Sequence, residues 1–338
     1  MKALVLGASG HVGNAICREL LDRGIHVTAA RRRPQAAENL AGLPIDQRVG
    51  DCEDPSQLDR WLSGHDWVFD AAAPYAFWLG EQPSPERARQ LAAARMDAII
   101  ETACRHHAGL VHVGSFTALP RERRGMDAAQ GAILRRLHPY FELKQIMQER
   151  VLAACQHDLR GVVVNPTLCL GPFDLKPPQF CLIPVTLKGE LPAVNSHPIN
   201  VIDVRDVATA TVNAALGDQL GEAIALSGHN TTVDSLTSAI CRIGGGEAPR
   251  LHVPPSIPAM AAYGNEFLVR ARLSQVEYPS VGMLLLLEQS WMAASPICRE
   301  LLPQLRPLSR SIAEAIDWYR AIGHLDRPST ATMGQRAS

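Results

Sequence analysis

The sequence predicts an α/β fold: a doubly wound parallel sheet with helices on both faces, followed by a smaller, mostly helical part. Three observations carry this. Short apolar runs alternate with helical patterns through the first half of the chain. The runs are near-continuous in apolar residues, as strands covered on both faces must be. A glycine-rich turn lies between the first such run and the first helical pattern.

The candidate strands are Ala3–Leu6, His26–Ala30, Gln47–Val49, Trp67–Ala72, Leu110–Val113 and Val162–Val164. Helical periodicity covers Val12–Arg23, Pro55–Leu62, Pro85–His106 and Tyr140–Gln156. After about Pro166 the rhythm breaks, with Pro172, Pro177, Pro178, Pro184, Pro192 and Pro198 in quick succession. Helical patterns return around Val207–Ala215, Val233–Ile243, Ile257–Leu273 and Ser309–Tyr319. The organisation read from this is a first unit over 1–165 with later strand contributions from about 199–226, an interleaved second part over 166–325, and a polar flexible tail over 326–338.

Composition narrows the function class. The chain has 338 residues, 46% hydrophobic and 20% charged, which suits a sizeable core and not a disordered chain. Lys+Arg 33 against Asp+Glu 34 leaves no basic field for nucleic acid. No apolar run approaches the ~18 residues of a membrane span, and Val281–Leu287 reads as core. No signal peptide is expected, so the protein is placed in the cytoplasm. The eight cysteines lie far apart, without a CxxC pair, and read as free thiols. Neither they nor the histidines have ligand spacing, so no metal is expected.

Gly7-Ala8-Ser9-Gly10-His11-Val12-Gly13 follows a strand and opens a helix. In that context a GxxGxxG spacing is a dinucleotide signature. Gly7 permits the turn, Gly10 lets backbone amides near a pyrophosphate, and Gly13 lets helix pack on strand. The helix N-terminus adds partial positive charge, so Ser9, Gly10, His11 and Val12 are candidate cofactor contacts. NAD-binding chains usually end the second strand with a carboxylate that bonds the ribose. Here the chain reads Arg31-Arg32-Arg33. Guanidinium matches a 2′-phosphate, so NADP is expected in preference to NAD. Asp51 and Cys52, after the third strand, are candidate adenine contacts.

Tyr140 and Lys144 stand four residues apart at the start of a helix, on one face and one turn apart. Lysine is scarce, found only at positions 2, 144, 176 and 188, so the pairing is informative. An ammonium beside a phenol favours phenolate and makes it a usable acid/base. Ser115, after the strand Leu110–Val113, could hold a carbonyl oxygen beside that phenol.

With these pieces, the chain resembles an extended short-chain dehydrogenase/reductase of the NAD-dependent epimerase/dehydratase family, in its dihydroflavonol-4-reductase-like branch. Gly7–Gly13, Val113-Gly114-Ser115, Tyr140 through Lys144, Val164–Pro172 and Ile202–Ala208 carry the likeness. It implies a Rossmann fold, Tyr140 as acid/base, Ser115 as carbonyl holder and Lys144 as ribose ligand. It also implies that Ala71 and Ala72 line ribose and pyrophosphate, that Pro166 and Leu168 pack near nicotinamide, and that the chain forms a homodimer through helices 85–106 and 140–156. The expected reaction is hydride transfer between nicotinamide and a ketone or secondary alcohol of a small to medium, partly apolar substrate. Tyr75, Phe77, Trp78 and Phe116 are candidate substrate contacts. Leu168 stands where sugar-nucleotide members have asparagine, which disfavours an epimerase or dehydratase with tightly held NAD(P). A non-catalytic NADP(H)-sensing regulator is opposed by the intact Ser115, Tyr140 and Lys144. No asparagine stands in Ala94-Arg95-Met96-Asp97, where the family often has one. Asp206 is expected to cap a helix.

Overall fold

The computed structural model describes residues 1–32, 37–72, 84–119, 139–271, 273, 286 and 290–326. Arg33, Tyr75, Phe77, Trp78, the arginine-bearing loop after Leu119, all of Val281–Leu287 except Leu286, and the tail beyond Asp326 lie outside these residues. Among the described residues no helix is long and apolar enough to cross a membrane.

The chain begins with strand β1 (Lys2–Leu6), helix α1 (His11–Asp22), β2 (His26–Arg31) and the edge strand β3 (Asp46–Val49). Helix α2 (Pro55–Leu62) starts on Asp54, whose carboxylate accepts from the amides of Ser56 and Gln57. Proline at the first helical position adds a pre-set φ where no amide is needed. Then follow β4 (Trp67–Asp70), α3 (Pro85–Arg105, capped by Ser84), β5 (Gly109–Val113), α4 (Pro139–Cys155) and β6 (Gly161–Pro166).

β7 (Leu168–Leu170), α5 (Leu182–Leu187) and β8 (Pro198–Asp203) come next. α6 (Val204–Leu216) leads to β9 (Ala223–Leu226), β10 (His229–Thr232), α7 (Val233–Gly244), α8 (Ser256–Arg270), α9 (Pro296–Leu301) and α10 (Leu308–Ala321). The Rossmann-type expectation holds: seven strands form one sheet in the order β3-β2-β1-β4-β5-β6-β9, every pair parallel. A second sheet has the order β10-β8-β7, with β8 parallel to β7 and antiparallel to β10. Of the segment expected to return to the main sheet, only Ala223–Leu226 does; Pro198–Asp203 pairs in the second sheet.

Side-chain alternation explains the two covered faces. Ala3, Val5, Val27, Phe69, Val111, Val162 and Ile224 point to one side and pack with α1 and α6. Leu4, Leu6, Val68, Leu110 and Val163 point to the other and pack with α2, α3 and α4. Because both faces bury apolar side chains, the strands read as continuous apolar runs. A third cluster, including Ile199, Val201, Leu236, Ile240, Ile312 and Ile316, holds the second sheet to α7 and α10.

Asp206 does not cap a helix. The cap of α6 is Asp203, which accepts from the Arg205 amide at 2.8 Å. Asp206 is buried in the first turn, where its carboxylate accepts from the Arg306 amide at 2.9 Å and from the Arg306 guanidinium. The helix begins three residues earlier than its apolar periodicity suggests, because Val204, Arg205 and Asp206 form a first turn that periodicity does not mark.

Phe69 is fully buried in the central strand β4. Phe69→Ala should lower unfolding free energy by about 3–5 kcal/mol, read as an earlier urea midpoint with unchanged slope.

Candidate functional site

β1 and β4 are neighbours, yet their helical connections leave on opposite faces. This reversal opens a crevice at the carboxyl ends of the strands, the place where parallel sheets bind ligands. The glycine turn lies at its floor. Gly7 has φ +72°, and a Cβ there would come within 2.8 Å of the Ala72 Cα and 2.9 Å of the Ala71 oxygen. A Cβ at Gly13 would come within 2.2 Å of the Gly7 oxygen. The turn after β1, the turn after β4 and the first turn of α1 therefore touch backbone to backbone. Gly10 is the N-cap of α1 and brings no side-chain cap to its first amides. Steric room and free helix-end donors fit a pyrophosphate.

The remaining cofactor candidates distribute around this floor. Arg31 closes β2, and its Nε donates to Gln47 Oε1 at 3.1 Å; Arg32 is exposed just beyond. Asp51 is exposed and accepts from the Glu53 amide at 2.9 Å, while Cys52 is half-buried against the α2–α3 face. The Ala71 amide donates to the Leu6 oxygen at 3.1 Å. Pro166 is buried at the end of β6 and Leu168 is half-buried on β7. His11 and Val12 do not project freely: Val12 packs on the core, and His11 Nδ1 lies 3.8 Å from Asp174 Oδ2.

Several residues around the turn had no signal in the sequence. Asn39 Nδ2 donates to the backbone oxygens of both Ser9 and Phe173 at 3.0 Å, and the Asn39 backbone oxygen accepts from Asn14 Nδ2 at 2.8 Å. Arg18 stacks 4.1 Å above the Phe173 ring. Phe173 has φ +76°, rare for a non-glycine residue, and so turns its carbonyl toward Asn39. The segment after Gly171-Pro172 is thereby tied to α1. Burial would raise the Asp174 carboxyl, but Lys176 at 2.9 Å and His11 outweigh it and hold it down to about 2.

Lys144 meets the backbone just before Ser115 at the end of β5, and Tyr140 stands one turn before Lys144 on α4. Ser115 is buried, and its amide donates to Asn165 Oδ1 at 2.8 Å. Its hydroxyl accepts from Thr117 Oγ1 at 2.9 Å. Asn165 Nδ2 donates to Gln148 Oε1 at 2.7 Å, and Gln148 Nε2 to the Ala118 oxygen at 3.3 Å. Tyr140, Lys144 and Gln148 repeat every four residues along α4, so one helical stripe presents the phenol and the ammonium and clamps the serine loop. A Cβ at Gly114 would lie 2.2 Å from Asn165 Oδ1, which is why that position is glycine.

Lys144 is buried, with Nζ 6.0 Å from the Tyr140 ring centre and 3.4 Å from the carbonyl oxygens of Val113 and Gly114. Burial pushes its ammonium down to about 8; Asp70 opposes that fall and Arg95 adds to it. Phe116 is buried with Leu119 and Met292 beside the same loop. Beneath Lys144 lies a cluster the sequence reading passed over, in which Arg95 and His112 both bond Asp70. Polar side chains in otherwise apolar strand runs, Asp70 after Trp67–Phe69 and His112 within Leu110–Val113, were the available signal.

The model of one protein family, described as the NAD dependent epimerase/dehydratase family, matches residues 3–224. The chain belongs to that family. It is similar to a Synechocystis sp. protein given provisionally as a dihydroflavonol 4-reductase, 28% identical over 333 residues and 95% of each chain. It is also similar to the 2-alkyl-3-oxoalkanoate reductase of Stenotrophomonas maltophilia, 32% identical over 182 residues and 52% of each chain. The solved structure of gox2253 superposes with a TM-score of 0.78 and 26% identity, covering 96% of this chain and 99% of that one. The extended short-chain dehydrogenase/reductase assignment holds, and with it an NAD(P)-dependent enzyme of reductase or epimerase type.

Gly13→Ala would drive a methyl group into the Gly7 carbonyl. The variant should bind NAD(P)H at least about tenfold more weakly, a loss of about 1.4 kcal/mol in cofactor fluorescence titrations.

Proposed function

We propose that this protein is an NADP-dependent carbonyl reductase or alcohol dehydrogenase acting on a small to medium, partly apolar ketone or secondary alcohol. The observation that carries the reading is the Lys144 ammonium, sealed beneath Tyr140 at the strand end that bears Ser115. When bound, the nicotinamide supplies or accepts the hydride. Everything else falls to the chain's own residues.

Ser115 holds the substrate oxygen. Its hydroxyl already accepts from Thr117, so its own proton is left to donate outward. Tyr140 gives its phenolic proton to that oxygen during reduction and takes it back during oxidation. Lys144 is cationic at neutral pH, since its midpoint lies near about 8. That charge lowers the cost of the phenolate and places a donor for the nicotinamide ribose. Gln148 and Asn165 keep Ser115 in register with the helix carrying the other two. Ala71, Ala72, Pro166 and Leu168 line the cofactor side, with Asp51 and Cys52 at the adenine end. Phe116 and Leu168 supply apolar surface toward the substrate.

Both relatives named above are named as reductases, of a dihydroflavonol and of a 2-alkyl-3-oxoalkanoate, which supports reduction over epimerisation. The family match equally accommodates an epimerase or dehydratase that regenerates its cofactor within each cycle. Consumption of added NADPH in proportion to product supports the reductase; product without net NADPH loss replaces it with the second reading.

Tyr140→Phe should keep NADPH affinity and lose about 10²–10⁴-fold in turnover, because only the acid/base contribution is removed. Turnover within twofold of wild type would end the assignment of Tyr140. Arg31→Glu places a carboxylate beside the 2′-phosphate position at the end of β2. Its NADPH-over-NADH ratio of kcat/KM should fall about 10–100-fold, the worth of one charge-assisted hydrogen bond and more. An unchanged ratio rejects Arg31 as the discriminator.

A further inference from the structure

The roles given to Ser115, Tyr140 and Lys144 leave a buried charge cluster without a use. Asp70 closes β4, and its side chain shares a sheet face with Val68. Its carboxylate accepts from Arg95 Nη1 at 3.1 Å, from Arg95 Nη2, and from His112 Nδ1 at 2.9 Å. The Ala72 amide donates to it at 3.3 Å. The side chains of Asp70, Arg95 and His112 are sealed from solvent almost completely. Burial alone would raise the Asp70 carboxyl, yet Arg95 and His112 outweigh it and hold it well below the usual carboxylate range. Burial lowers His112, which serves as a neutral donor and leaves Nε2 buried without a hydrogen-bond partner.

Stability gives no reason for such a cluster, because apolar side chains of similar volume usually serve a core as well or better. Its place gives one. Ala72, which donates to Asp70, packs directly on Gly7. Lys144 comes from α4 to the neighbouring strand end, its Nζ 3.4 Å from the carbonyl oxygens of Val113 and Gly114, and His112, the residue before Val113, pairs with Asp70 across β4 and β5. Asp70 from β4, Arg95 from α3, His112 from β5 and Cys169 from β7 interact electrostatically with the Lys144 ammonium, and the Tyr140 ring of the same helix as Lys144 stands 6.0 Å from it. Cys169 is pushed up to about 12 by burial and His112 is neutral, so near neutral pH the fixed charges of this set are Asp70 and Arg95.

We propose that Asp70 and Arg95 are positioning residues whose opposed charges set the electric field at the Lys144 ammonium, and through it the ease with which Tyr140 gives up its proton. The proposal rests on the reading of Tyr140 and Lys144 above. Arg95 occupies the stretch in which the family often has asparagine, and this chain carries a full charge there, held in check by Asp70. Asp70 attracts the ammonium and Arg95 repels it, so the two halves of one ion pair must act on Lys144 in opposite directions.

Four lysines make the test direct. The full-length apo protein is labelled with ¹³C-lysine, and the Lys144 ε-carbon resonance is assigned by its absence in Lys144→Met. Its titration is then followed by NMR, with no need for substrate. Wild type should titrate near about 8. Asp70→Asn should move the midpoint down, and Arg95→Met should move it up, each by about one pH unit or more. A disturbance that is merely structural moves both the same way, or lowers stability and moves neither; either result overturns the proposal. Should a single variant fail to fold by circular dichroism, Asp70→Asn/Arg95→Met removes both halves of the ion pair together and takes its place. Its midpoint should fall, because the attraction of Asp70 exceeds the repulsion of Arg95; an unmoved or raised midpoint overturns the proposal. Opposed shifts in a protein whose Tyr140→Phe variant turns over normally would keep this inference and discard the catalytic reading.

Discussion

No side chain fits between the turn after β1 and the turn after β4. The backbone at Gly7 meets the backbone at Ala71 and Ala72, and the first turn of α1 closes on Gly7 from the other side. Three chain segments therefore converge where neither Gly7 nor Gly13 has room for a Cβ, at the point where the sheet reverses its winding. That contact aims the α1 amides into the crevice. It also fixes where β4 ends, and so where Asp70 can stand. The apolar cores on the two sheet faces hold the strands, but this backbone contact decides what the crevice can bind.

The second constraint is electrostatic. Placing an arginine, a carboxylate, an imidazole and an ammonium under one crevice invites large desolvation costs. Here they are arranged so that each charge has a counterpart or a carbonyl partner. Asp70 neutralises Arg95, while Lys144 rests on the oxygens of Val113 and Gly114. The same helical stripe that carries Tyr140 and Lys144 carries Gln148, which reaches Asn165 and through it the Ser115 amide. Acid/base group, cation and serine are thus mounted on one rigid pair of elements, β5–β6 and α4, rather than on independent loops.

A third arrangement joins the two sheets. The chain leaves the main sheet at Pro166, and the Thr167 hydroxyl donates to Asn200 on β8 at 2.7 Å. It passes through the second sheet and comes back over α1 at Phe173 and Asp174, where Asn39, Arg18 and His11 receive it. The glycine turn is consequently supported from beneath by the sheet and flanked by the second part of the chain.

Much of this was legible in the sequence. Continuous apolar runs such as Leu110–Val113, the glycine spacing after Leu6 and the four-residue step from Tyr140 to Lys144 are local patterns, set by short-range geometry. Local patterns also misled at Asp206, whose partner Arg306 lies a hundred residues away. They were silent on Asn39, Phe173 and Asp174, whose partners are likewise remote. Asp70, Arg95 and His112 were each visible as charged or polar residues, but a strand-end carboxylate, a helix arginine and a strand histidine have no meaning until the sheet order brings them together. What the sequence alone determined was which segments are strands and helices and which residues can do chemistry. The tertiary structure decided which of those charges share one buried space, because the energy of a buried charge is set by neighbours that only the folded chain supplies.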